Sequence, residues 1–519
     1  PAPSVVRAGV QRHQTRRTTW LESSGDCYYQ QRYWNDEAAY VIQSANAQRL
    51  RDATYALHAM CLEAVDLVVQ SDDLMEVFEI PDNMRAAVRA SWKRRDRDLL
   101  GRFDFSWDGQ GDPKLLGYNA DTPTILVETA VGQRLWWDHV HRKEDEASHR
   151  IKWCFNTNEK QLAVAWPRVM PPKTSLCVAG TNATVEEQEH AAFVAKTAAA
   201  SGIAVTLAGM DQLSVANGKV VATWDNTPVP CVWKLYPYEW LAEDSLGIDL
   251  FADDSSMSTS DEKTVWIEPA WKLVLGNKAL LSLLWELYPG HPNLLPATYN
   301  QLQARTGVVY SHEFDNPHEF LTAAIDAATV SLPAEVDTLD RVANLFGHTN
   351  QDLTLYLGHP VYQAYHETAK FSDRRVVVGS WVIHGQPTGT CIREDVADTT
   401  NDSSSFVPHD VEGPAWAAKL PVLSARQREL YESLYPQVDD SYAGHVQRYF
   451  GYGGGGGSGV PVSSPNLTNQ NAARTQAKAY AGAVKRRGNS PRYSTSGRSG
   501  QGGGVGFTTG KIGRAGGGG

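Results

Sequence analysis

A chain of 519 residues with 42% hydrophobic content and 16 tryptophans has the material for a packed core, which excludes a wholly disordered polymer. No run approaches the roughly 18 apolar residues of a membrane-spanning helix, and the first residues show no signal-peptide h-region. The net charge of −11 conceals an asymmetry: residues 453–519 carry nine Lys/Arg and no acid, which leaves −20 for the first 452 residues.

Residues 1–20 read as an extended basic arm, with Arg7, Arg12, Arg16 and Arg17 ahead of the first acid, Glu22. An acidic body with basic ends repels nucleic acid at its centre and attracts anionic surfaces at its ends. From Tyr29 to Leu100 the pattern is helical, as in Leu57, Met60, Cys61, Ala64, Val65 and Val68. Residues 101–135 change to alternation. Arg102-Phe103-Asp104-Phe105 predicts a strand with Arg102 and Asp104 on one face and both phenylalanines on the other. The stretch from Leu116 to Thr124 predicts a second strand, with Asn119 and Asp121 sharing a face. Together the two would direct a guanidinium, a carboxylate and a carboxamide at one spot. Such oxygen ligands beside a fixed cation suit Mg²⁺ and nucleotide phosphates, although a surface ion pair on an ordinary strand pair has the same spacing.

Further along, Ser175–Ala179 is a short apolar strand, and Thr184 with Glu187 forms a capping box that opens an Ala-rich helix to Ala200. Ile203–Leu207 supplies the next strand, so the segment predicts a βαβ unit with parallel pairing. Residues 229–240 form a strand that ends at an aromatic cluster, and a helix begins at Asn277-Lys278-Ala279 and stops near Tyr288-Pro289-Gly290. Lys272 and Lys278 read most simply as a solvated face, and Trp266, Trp271 and Trp285 as core. Strands follow at 375–393 and a helix at 424–450. Arg393, next to Glu394 and Asp395, has the look of a strand-end ion pair. His291 and His409, each beside a proline, read as packing or turn residues.

The last 67 residues hold 20 of the 43 glycines and are predicted to be disordered alone, either as a soluble appendage or as a contact for nucleic acid or neighbouring subunits. Six scattered cysteines with no CxxC pair predict reduced thiols, no zinc, and a cytoplasmic location, or assembly in the cytoplasm into a larger particle.

Several phrases in order resemble the synthetase domain of the glutathionylspermidine synthase family, a group of ATP-grasp-like C–N ligases. They are GRFDF (101–105), YNADTPT (118–124), KLYPYEW (234–240), the block from Glu268 to Pro296, VYQ (361–363), GSW (379–381), GTCIRED (389–395) and FVPH (406–409). The resemblance implies an α/β fold, with an ATP-grasp-like body over 21–420 that includes a pre-ATP-grasp α/β domain. A C-terminal helix over 421–452 and the Gly-rich tail follow. It implies ATP and Mg²⁺, and a peptide carboxylate that is phosphorylated and then attacked by a polyamine. By matched position, Arg102 would stabilise the acyl phosphate, and Asp104 and Asn119 would hold Mg²⁺. Lys278 would contact nucleotide phosphates, Arg393 would face the transferring phosphoryl group, and Gln363 would lie near the nucleotide.

Two departures run against that pattern. The family's second metal-binding carboxylate corresponds to Gly117, and its Lys-Pro strand and Gly-rich phosphate loop correspond to residues 301–316, with one glycine and no lysine. Two readings follow. One is a working ATP-dependent carboxylate–amine ligase. The other is an inactive ligase fold reused as a structural protein, for example in a virion, whose basic tails meet neighbouring subunits or an anionic surface. A nucleic-acid-binding module rests on the tails alone.

Overall fold

The computed structural model describes residues 10–14, 33–141, 152–181, 184–251, 264–298, 361–364, 366–397, 400, 404–413 and 420–436. Residues 301–316, the Gly-rich tail, most of the N-terminal arm and the predicted helix beyond residue 436 lie outside the described residues.

The architecture is mixed α/β. Strand β1 (Val10–Gln14) pairs antiparallel with β2 (Ala38–Gln43). A strand at 38–43 corrects the expectation of helix from residue 29 onward. Tyr40, Val41 and Ile42 are strand formers, and Tyr40 and Ile42 are buried where β2 enters a sheet. Helix α1 (Ser44–Val68) then buries the periodic stripe seen in the sequence, from Leu57 to Val68. Helices α2 (Asp72–Val77) and α3 (Asp82–Arg94) follow, and the Ser71 hydroxyl caps α2.

Strands β3 (Leu100–Ser106) and β4 (Lys114–Asn119) form the predicted antiparallel pair. The strand-like pattern does not extend to 135, however: a π-helical turn at Glu128–Gly132 leads into α4 (Gln133–His141). After β5 (Lys152–Trp153) and α5 (Asn158–Val169) comes the predicted βαβ unit. It consists of β6 (Leu176–Gly180), α6 (Val185–Ala200) and β7 (Val205–Gly209), in parallel register from Leu176↔Val205 to Gly180↔Gly209. The Thr184 hydroxyl accepts from the Glu187 N–H at 3.1 Å, as the cap signal required.

The hairpin of β8 (Leu213–Ala216) and β9 (Lys219–Ala222) precedes β10 (Cys231–Leu235), α7 (Tyr238–Leu241) and α8 (Ser245–Phe251). With β11 (Val265–Ile267), strands β10, β6 and β7 form a parallel sheet in the order β11-β10-β6-β7. Helices α9 (Leu273–Gly276) and α10 (Ala279–Leu287) come next, and a short pair joins β12 (Ala297–Thr298) to β13 (Tyr362–Gln363).

The sheet that carries the site is antiparallel. It contains β14 (Lys370–Phe371), β15 (Arg374–Ile383), β16 (Gln386–Asp395) and β17 (Ser405–Val407), in the order β17-β16-β15-β3-β4 with β14 on β15. Strands β15 and β16 turn through His384 and Gly385, both at positive φ (47° and 76°), the geometry of a two-residue hairpin whose twist matches its strands. Strand β18 (His409–Glu412) runs beside β2, and α11 (Ala425–Leu434) packs on α1. One apolar cluster, with Phe103, Phe105 and the α1 stripe, fills one side of this sheet. Another, with Trp381, Cys391, Trp166 and Trp233, adjoins the opposite face. Among the described residues no helix is long and apolar enough to cross a membrane.

Candidate active site

Strand register assembles the site. Arg102 pairs with Asn119 on β4 and with Trp381 on β15, and Asp104 pairs with Gly117 and Gly379. The two-residue period puts Arg102 and Asp104 on the same face. On the other face, Phe103 is fully buried and stacks on Tyr118 with ring centroids 3.8 Å apart. Packing of the aromatic face thereby fixes the height and direction of the charged one.

Asp104 is the hub. Its Oδ1 accepts from Arg102 Nε at 2.8 Å. Its Oδ2 accepts from Arg102 Nη2 at 3.0 Å, Arg393 Nη2 at 3.1 Å and Asn119 Nδ2 at 3.1 Å. Burial works to raise the Asp104 pKa, but the charges of Arg102, Arg393 and Lys278 outweigh it and hold the carboxyl below its ordinary value. Burial likewise opposes the charge on Arg102, and Asp104 more than restores it. The remaining fork of Arg102 donates from Nη1 to the Thr124 carbonyl at 2.8 Å. Gly379 makes room for this cluster: a Cβ there would lie 2.4 Å from Cys391 Sγ and 3.2 Å from Arg102 Cδ.

Pairing slips between Asp104 and Phe105, since Phe105 faces Leu115, so Leu116 is the extra residue of a β-bulge. Its carbonyl accepts from Lys278 Nζ at 2.9 Å, and the neighbouring Leu115 carbonyl accepts from Gln363 Nε2 at 2.9 Å. The Lys278 ammonium fills the space over Gly117, 2.4 Å from where a Cβ would stand. Protein crowded around the ammonium lowers its pKa, and Asp104 partly offsets this.

The six residues singled out from the sequence therefore lie together. Arg102, Asp104, Asn119 and Arg393 bond directly, while Lys278 and Gln363 hold the bulged strand beside them. Several other expectations need correction. Arg393 pairs with Asp104 across the sheet, not with its chain neighbours. Glu394 points to the opposite face, where it accepts from Tyr40 Oη at 2.7 Å and Asn35 Nδ2 at 3.1 Å. Asp121 does not share the Asn119 face, because β4 ends at Asn119 and the two-residue period ends with it. It meets Lys234 Nζ at 2.5 Å and the Tyr238 N–H at 3.0 Å, and the ammonium lies 3.7 Å over the Tyr238 ring. Lys272 is not on a solvated face: it is fully buried, 2.8 Å from Glu268 and 3.3 Å from Asp98.

Sequence reasoning passed over two supporting pairs that had readable signals. Lys234 is a lone cation in an apolar strand, which demands a buried acid. Glu268 and Lys272 have the i,i+4 spacing of a helical ion pair. Glu268 also accepts the Leu99 and Leu100 N–H groups at 2.9 and 2.8 Å, and so anchors the start of β3.

The donor set does not fit a resident Mg²⁺. Asp104 is the one carboxylate among the clustered residues, both its oxygens carry N–H donors, and Gly117 supplies no ligand. Among the described residues, no group of three or more His, Cys, Asp or Glu could hold a metal ion.

Comparison with known proteins places this geometry in context. The profile of the family described as "Glutathionylspermidine synthase preATP-grasp" matches residues 10–412. A Haemophilus influenzae protein named as a candidate acid–amine ligase is 29% identical over 395 residues, covering 73% of this chain and 90% of that protein. Trypanothione synthetase of Crithidia fasciculata is 26% identical, covering 67% of this chain and 53% of its own. The bifunctional glutathionylspermidine synthetase/amidase of Escherichia coli is 25% identical, covering 71% and 58%. The chain thus spans little more than half the length of those two.

Proposed function

The chain belongs to the glutathionylspermidine synthase preATP-grasp family, and from that premise we propose that it is an ATP-dependent ligase joining a carboxylate to an amine. A carboxylate-amine ligase related to glutathionylspermidine synthase is the coarse description the family and the relatives support. The relatives' names point to a glutathione-like peptide as the acid and a polyamine as the amine. The body would be ATP-grasp-like. In the reaction, the carboxylate oxygen attacks the γ-phosphorus and releases ADP. The amine nitrogen then attacks the acyl carbon, releasing phosphate and a proton.

The observation that carries this reading is the Nε of Arg393. It is buried, it has no hydrogen-bond partner among the described residues, and its own Nη2 is tied to Asp104. An unsatisfied charged donor inside a protein is costly, and an anionic group arriving at the site would satisfy it. Arg102 cannot turn away, because Asp104 and the Thr124 carbonyl hold three of its nitrogens. Two guanidinium groups fixed before the substrate arrives stabilise charge that develops on a transferring phosphoryl group with little reorganisation. Lys278 supplies a third positive charge from the bulged strand.

The test is ADP release by the full chain with ATP, a glutathione-like peptide and a polyamine. Release that needs both co-substrates, and falls about 100-fold or more in Arg393→Ala, supports the ligase. No release with any peptide and amine pair overturns it and favours the alternative of a ligase fold reused in assembly, in keeping with the missing carboxylate at Gly117.

A further inference from the structure

Lys278 is placed by features of β4 and not by its own helix. The bulge turns the Leu116 carbonyl toward it, and the missing side chain at Gly117 leaves the space its ammonium fills. Gly117 and Asp104 are cross-strand partners, so their side-chain directions share one face of the sheet. The ammonium therefore stands on the face that carries the Asp104 carboxylate.

We propose that the Lys278 ammonium, standing over Gly117 where a second ligand for a divalent cation would have to be, keeps such a cation away from Asp104, so that the protein meets a polyphosphate with built-in cations. Three observations carry this. First, the Asp104 carboxylate accepts four N–H donors: one from Arg102 on Oδ1, and one each from Arg102, Arg393 and Asn119 on Oδ2. A Mg²⁺ at Oδ2 would have to displace at least one of them, and one at Oδ1 would stand beside the Arg102 guanidinium. Second, Asn119 presents an N–H to Asp104, whereas a metal would need its carbonyl oxygen. The two orientations exchange only if the carboxylate gives up that bond. Third, the cross-strand place from which a second ligand would come has no side chain and holds a positive charge. Like charge beside the site repels a dication. An ammonium has three N–H donors, and the Leu116 carbonyl takes one. Among the described residues the other two have no hydrogen-bond partner, and phosphate oxygens could take them.

Manganese binding to the full chain, read from loss of the free-ion electron paramagnetic resonance signal with no nucleotide present, tests the claim directly. The wild-type protein is expected to show no sub-millimolar site, and Lys278→Ala combined with Gly117→Glu to gain affinity by about tenfold or more. Sub-millimolar binding by the wild type that Asp104→Asn abolishes would overturn the proposal. So would a two-change variant that melts like the wild type and still gains nothing.

A second arm uses Lys278→Ala alone, whose side chain is exposed, once its melting temperature is shown to match that of the wild type. It rests on the ligase reading. Wild-type affinity for ATP in EDTA should lie within about threefold of that in magnesium, and the metal-free affinity of Lys278→Ala should fall about tenfold. A wild type that binds ATP only with magnesium overturns the lysine's role. No ATP binding by any form counts against the ligase reading, and the manganese titration then decides on the lysine by itself.

Discussion

Arg102 and Asp104, two residues apart on β3, form a two-pronged ion pair with Nε–Oδ1 at 2.8 Å and Nη2–Oδ2 at 3.0 Å. The third prong reaches the Thr124 carbonyl, so one planar group ties the strand to the loop behind it. Lysine offers a single ammonium and cannot make both contacts at once. Arg102→Lys is therefore expected to lower ADP release about 100-fold or more while the protein still folds. Undiminished ADP release in that variant would place the chemistry elsewhere.

Gly379 allows β15 to lie close against the Arg102 side chain. A methyl group there meets Cys391 Sγ at 2.4 Å, well inside contact distance. Gly379→Ala should cost about 1–3 kcal/mol in urea unfolding. Adding Cys391→Ala removes the clashing sulfur, so the double variant should be more stable than the sum of the two single losses. Strict additivity would show that the strain lies somewhere else.

Lys272 sits between Glu268 and Asp98 with no exposure to water. Burial opposes its charge, but the two acids more than compensate and raise its pKa. Lys272→Met leaves both carboxylates without their cation, and a loss of about 3–5 kcal/mol is expected. A change below about 0.5 kcal/mol, the surface value, would contradict the buried placement.

Glu128 gives a pH signature. Burial pushes its carboxyl up to about 7, partly countered by its own backbone hydrogen bond and by Tyr33 Oη, which donates at 2.7 Å. The unfolded chain releases this proton near pH 4.3, so between there and pH 7 the native state binds a proton that the unfolded state does not. The stabilisation is full below about pH 4.3 and is lost as the pH rises through about 7. Glu128→Gln imitates the protonated acid. Its stability should match the wild type in acid and exceed it at pH 8 by on the order of 3–4 kcal/mol. A constant difference across that range would assign the effect to packing.

Much of the site could be read from the sequence because its residues obey short periods. Alternation at 102–105 placed Arg102 and Asp104 on one face, and the register of β4 brought Asn119 to them. The helical stripe of α1 and the βαβ unit were legible for the same reason: both are local patterns. Pairings between distant residues were not. Asp121 and Lys234 are 113 positions apart, and no local pattern links them. The strand at 38–43 was hidden because Ala38 and Ala39 suit a helix until β1 supplies their partner and β18 that of Tyr40 to Gln43. The bulge at Leu116 had one local sign, Gly117 beside it, but a glycine inside a strand does not say which residue is the extra one.

That bulge makes spacing, as well as residue identity, a determinant of the cleft. A chain one residue shorter at this point would keep all the recognisable phrases, yet the atom that tethers the lysine would shift along the strand by about 3.4 Å. Relatives that look alike letter by letter could then differ in how many positive charges they hold ready, and an aligned gap at this position would be the mark of the change.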